Sequence, residues 1–186
     1  MILIPWQIYK FIYHFFLFIN MKEVYLNKTI YSEYFQVSLF TLVCLAVPMF
    51  LGHSQVFVGV IINMFLVLAA LRLNGYKLLP VIIVPSIGAY VGGLLFGGAS
   101  VYLLYFIPFI WLANGILVYS FKRNISVVKK VFFGSFFKAL FLFVIALSFY
   151  SLGLIPSMFL IAMGPLQLLT ALIGSSLGVG VNKIKL

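Results

Sequence analysis

The sequence predicts an all-α polytopic membrane protein: a six-transmembrane-helix bundle preceded by an N-terminal interfacial helix. Three observations carry that prediction. Of 186 residues, 65% are hydrophobic and only 8% charged, and mean hydropathy is +1.25; a soluble domain carries about a quarter charged residues to wet its surface. Six long apolar runs are separated by turn residues. The cations recur in alternate connections between those runs. Together these exclude a soluble enzyme, a disordered chain and a nucleic-acid-binding domain. The net charge of +10 is not a nucleic-acid footprint, because its cations sit between apolar runs and not on one patch.

Two regions are expected, an N-terminal aromatic segment over 1–34 and a transmembrane domain over 35–186. The stretch 1–20 is apolar and aromatic, with Trp6, Tyr9, Phe11, Tyr13, Phe15, Phe16 and Phe18, but Lys10 and His14 interrupt it. It has neither a basic start nor a small-residue cleavage site, so a signal peptide is not expected. A helix lying in the membrane interface suits it best; a seventh span, or a translation start at Met21, are the alternatives.

A bilayer core of about 30 Å takes about 20 helical residues. The runs 35–51, 56–71, 78–96, 101–121, 131–152 and 155–181 meet or approach that length. Turn residues punctuate them at Gly52-His53-Ser54-Gln55, Asn74-Gly75, Gly97-Gly98 and Ser151-Leu152-Gly153. The runs are continuous and not alternating, which excludes a membrane β-barrel.

Arg72 and Lys77 lie between runs two and three, Lys122, Arg123, Lys129 and Lys130 between four and five, and Lys183 and Lys185 after six. Lys22 and Lys28 precede run one, and the other three connections carry no Lys or Arg. Because cations mark the cytoplasmic side, this alternation predicts a multi-pass protein of a prokaryotic plasma membrane with both termini in the cytoplasm.

Catalytic constellations are scarce. The chain has no Asp, and both Glu residues, Glu23 and Glu33, precede the first span. Paired intramembrane carboxylates for acid–base chemistry or proton relays are therefore excluded. His14 and His53 do not form a metal-binding motif, and Cys44 stands alone without a partner for a disulfide or thiolate metal site. A phosphate-binding Walker loop is missing too. A non-enzymatic protein without metal or cofactor is the expectation.

Polar residues inside apolar helices remain: Asn63, Asn114, Lys138, Gln167 and Thr170. At 1.5 Å per residue, Asn63 falls roughly 10 Å below the outer face and Asn114 and Lys138 roughly 20 Å. Such groups face the bundle interior, bonding one another or a solute. Lys138 either snorkels to the cytoplasmic headgroups or partners an anionic group. In the outer loop, His53 and Gln55 either contact an entering solute or form a solvated turn. The aromatics Tyr105 and Trp111 belong to an interface belt or stack on a planar ligand. The expected binding set is thus His53, Gln55, Asn63, Tyr105, Trp111, Asn114, Lys138 and Gln167. The G-x-x-x-G pairs Gly88/Gly92, Gly93/Gly97 and Gly174/Gly178 mark expected close helix contacts. Pro85 and Pro108 are expected to kink spans three and four.

The stretch AVPMFLGHSQVFVGVIINMFLVLAALRLNGYKLLPVIIVPSIGAYVGGLLFGG (46–98) leads through a polar outer loop to a Pro/Gly-rich span ending in G-G-x-x-F-G-G. In this cadence, and in its six-span layout without an ATPase motif, the chain resembles the substrate-binding S components of energy-coupling factor (ECF) vitamin transporters. The segments IPFIWLANGILVYSFKR (107–123) and MGPLQLLTALIG (163–174) are also similar to small prokaryotic membrane proteins labelled "iron hydrogenase", a chemistry that one cysteine cannot support. The ECF resemblance implies capture of a vitamin-like small-molecule solute at the outer face, and partnership with a transmembrane coupling subunit and two ATPases. It also implies an A-x-x-x-A docking pattern on span one, where this chain has Leu42 and Ala46, with Ser38 and Thr41 nearby. The competing expectation is a non-catalytic structural or assembly subunit of another membrane complex.

Overall fold

The computed structural model describes residues 32–51 and 54–183. The expected interfacial helix and His53 lie outside the described residues. The chain divides into two compact units between Gln36 and Val37. Of the first unit, residues 32–36 are described, and they are the opening residues of helix α1 (Ser32–Phe50).

Among the described residues the regular structure is helical, and six stretches are long and apolar enough to cross a membrane. After α1 come α2 (Gln55–Arg72), a 3-10 turn (Gly75–Leu78) leading into α3 (Leu79–Gly92), and a 3-10 turn (Gly97–Tyr102) leading into α4 (Leu103–Lys122). Then follow α5 (Val127–Ser151), the short α6 (Met158–Met163) and α7 (Pro165–Lys183).

Local chemistry sets the helix ends. Ser54 caps α2, its Oγ accepting from the Phe57 N–H at 3.4 Å. Pro80 sits in the first turn of α3, where its missing N–H costs nothing. That helix stops at Gly92, because Gly93 takes a left-handed φ of 65°. The third apolar run, expected to continue to residue 96, is therefore helical only to Gly92. Ser100 closes the turn that follows: its Oγ donates to Gly93 O at 2.9 Å and accepts from Phe96 N at 3.3 Å.

Cations finish the opposite ends. Lys122 Nζ donates to Leu73 O at 2.6 Å and to Asn74 Oδ1 at 2.8 Å, just beyond the C-terminus of α2. Lys130 Nζ donates to Phe121 O at 3.2 Å in the last turn of α4, and Arg72 Nε donates to Asn182 Oδ1 of α7 at 3.0 Å. Each helix C-terminus has orphan carbonyls and a partial negative charge, so a cation there is favourable.

Two of the three glycine pairs make the expected seams. A Cβ at Gly88 would stand 2.5 Å from Leu45 O, and one at Gly92 2.6 Å from Met49 O, so α1 and α3 touch backbone to backbone. A Cβ at Gly174 would strike Val60 O, and one at Gly178 would lie 2.8 Å from Met64 O, which fixes α7 against α2. Gly93/Gly97 is a correction. Both have positive φ, stand outside the long helices and have open space where a Cβ would go. Their role is turn geometry, which the spacing alone cannot distinguish from packing.

The sixth run has the expected span length over Met158–Lys183 but is interrupted near its start, between α6 and α7. Gly164 (φ −105°, ψ −101°) leaves helical geometry, and Pro165 has no N–H with which to continue the ladder. Phe143 crowds the break, since a Cβ at Gly164 would sit 2.6 Å from its Cδ2.

Candidate functional site

The second unit encloses a cavity of about 80 Å³ to which every span contributes: Pro48 from α1, Gln55 and Asn63 from α2, Ser86 from α3, Asn114 from α4, Lys138 from α5 and Gln167 from α7. By volume it has room for several waters or one small solute. Its walls are mostly apolar, including Val58, Ile62, Leu95, Leu103, Ile110 and Met163.

A lysine forms its polar centre. Lys138 is only 3% exposed, and its Nζ donates to Asn63 Oδ1 at 2.6 Å and to Asn114 Oδ1 at 2.8 Å. Both asparagines are 1% exposed and anchored to backbone: Asn63 Nδ2 donates to Gly59 O, and Asn114 Nδ2 to Ile82 O, each at 2.9 Å. The amides are thus turned oxygen-first toward the ammonium. Three helices are joined through one nitrogen.

This overturns the snorkelling alternative for Lys138. Its ammonium stays inside because two amide dipoles replace the water it would otherwise seek. Asn63 and Lys138, expected at separate depths, are nonetheless bonded to each other. Counting rise from helix ends leaves out the reach of a lysine side chain.

Pro85 prepares the α3 side. Proline has no N–H to give to Val81 O one turn back, and α4 side chains bond the next two carbonyls, Ile82 O and Ile83 O. Asn114 bonds Ile82 O as described. Trp111 Nε1 donates to Ser86 Oγ at 2.8 Å and to Ile83 O at 3.1 Å. Trp111 therefore braces α3 against α4 and does not line the cavity. Tyr105, 49% exposed, packs edge-on against Phe149 at 6.3 Å and is not among the lining residues either.

Gln167 lines the cavity from the first turn of α7, and its Oε1 is buried with no hydrogen-bond partner among the described residues. Thr170, one turn on, also lines it, with its side chain packed against Gly59. Of the expected set, then, Gln55, Asn63, Asn114, Lys138 and Gln167 come together, while Tyr105 and Trp111 stand apart from the cavity. Sequence reasoning marked Thr170 as an intramembrane polar residue but left it out of the binding set, and it did not select Ser86 or the helix break. The Gly164-Pro165 dipeptide is the signal that points to the break.

Among the described residues no three His, Cys, Asp or Glu side chains come together as a metal site would need. Comparison with protein-family models, with curated proteins and with solved structures finds no match.

Proposed function

We propose that this chain is a membrane-embedded solute-binding subunit that captures a small molecule between its helices and makes or breaks no bond in it. The observation that supports the reading is the Lys138–Asn63–Asn114 cluster facing a cavity lined from all six spans. A structural hydrogen-bond network needs no cavity beside it, and a cationic donor next to apolar walls suits recognition of a small amphiphilic molecule. The unpartnered Gln167 Oε1 adds an acceptor on the facing helix.

The closer form of the proposal is an S component of an ECF-type uptake transporter, taking a vitamin or micronutrient from the outer face. The sequence cadence supports it, and so does the missing phosphate-binding loop, which leaves energy coupling to partner ATPases. Part of α1 is open for docking, with Ser38 exposed and Leu42 62% exposed.

Purification in mild detergent, followed by mass spectrometry of co-purifying small molecules and titration with a vitamin panel, tests the proposal. A bound solute, with affinity weakened in Asn114→Leu, is the expected outcome. No ligand by either route would leave the chain as a structural or assembly subunit. A pull-down from the native membrane that recovers ATPases separates the ECF form from that alternative.

A further inference from the structure

We propose that the solute is a small monocarboxylate with an apolar body, its anionic end held at Lys138 Nζ and the start of α7. This rests on the solute-binding reading above and narrows it to a chemical class.

Lys138 is 97% buried by the 3% exposure given above, and the chain contains no acidic residue after Glu33. Two neutral amides face the ammonium, but an amide dipole does not cancel a unit charge, and a buried cation without a counter-charge is costly. An ammonium has three N–H groups. Asn63 and Asn114 take two; the third has no protein acceptor among the described residues, and the residue lines the cavity.

Helix geometry adds a second source of positive potential at the same place. The break at Gly164 starts α7 afresh at Pro165. Leu166 and Gln167, in its first turn, line the cavity with Lys138. First-turn N–H groups lack intrahelical acceptors and carry the positive end of the helix dipole. Broken membrane helices aim such ends at anionic solutes.

Size and lining define the rest of the molecule. At roughly 10–15 Å³ per water-sized site, about 80 Å³ admits roughly five to eight non-hydrogen atoms. Much of the remaining lining is hydrocarbon and aromatic, with Ile62, Leu95, Phe96, Leu103 and Ile110. A dicarboxylate would bury a second charge against them without a partner.

Pentanoate and its neutral isostere pentanamide are the probes, titrated into the full-length protein in detergent against inorganic phosphate. Pentanoate is expected to bind roughly tenfold to a hundredfold more tightly than pentanamide, because both can accept from Lys138 but only the acid supplies the counter-charge. Phosphate is expected not to compete. Lys138→Met is expected to erase the preference while still binding the amide. If that variant does not fold, the acid-to-amide ratio in the unaltered protein decides by itself. Equal affinity for acid and amide overturns the proposal, as does full competition by phosphate, which would mean that charge alone is read. Binding of a neutral panel solute without any carboxylate overturns the carboxylate but leaves solute binding standing. No binding of any probe removes both.

Discussion

Leucine at position 114 removes one arm of the buried lysine cluster with little change in volume, and its cost can be worked from the geometry. Two bonds disappear: the 2.8 Å bond from Lys138 Nζ and the 2.9 Å bond to Ile82 O. A hydrogen bond to a charged group contributes about 1.5–3 kcal/mol and a neutral one about 1 kcal/mol. Neutral polar pairs between membrane helices average only about 0.6 kcal/mol, so taking that value with the low end for the charged bond, about 2 kcal/mol is expected for Asn114→Leu. Lys138→Met removes a buried charge but leaves two amide oxygens orphaned. In the double variant one of those oxygens is gone along with its partner, so the two losses must not add. A coupling of about 1–2 kcal/mol is expected from a double-mutant cycle, read from unfolding in mixed micelles. Additivity within about 0.5 kcal/mol would refute a direct bond, and with it the placement of Lys138 inside the bundle.

Three more outcomes follow from the packing and the chain's direction. Gly174→Ala should destabilise by about 2 kcal/mol or more, as an overpacked core does, because its Cβ has Asn63 Cβ at 2.7 Å and Met64 N at 3.0 Å; Gly115→Ala, with open space, should be neutral or slightly stabilising, both read by thermal unfolding. Cys44, 0% exposed, should resist a water-soluble maleimide in the folded protein and react on unfolding; rapid labelling of the native state would contradict its burial. In a Cys44→Ala background, Ser54→Cys should label with an impermeant reagent in intact cells and Ser126→Cys should not, both positions being exposed; the reverse pattern would invert the topology read from the cations.

Hydropathy made the six span-length apolar helices legible, because the requirement for apolar length is a bulk property that single residues hardly perturb. Asn63, Asn114 and Lys138 stood out for a related reason: a polar group in hydrocarbon has to find a partner, which marks it before the partner is known. Which partners they choose was not legible, since that depends on helix rotation and side-chain reach. Aromatic residues misled for the opposite reason. Trp111 and Tyr105 fill either an interface or a binding wall equally well by composition, and it is the Ser86 hydroxyl and Phe149 ring that assign them elsewhere. The split between α6 and α7 hid inside an unbroken apolar run, because hydropathy does not register backbone conformation.

Lys122 and Lys130 have a dual effect. Residues that orient a membrane protein during insertion are ordinarily free to be exchanged for others of like charge, as they act on the membrane through net charge alone. Here each reaches a specific carbonyl, Leu73 O or Phe121 O, at the end of a neighbouring helix. On the orientation that the cations predict, insertion and tertiary cohesion draw on the same ammonium groups, and a chain engineered to insert upside down by relocating them is expected to arrive with its helix ends untied.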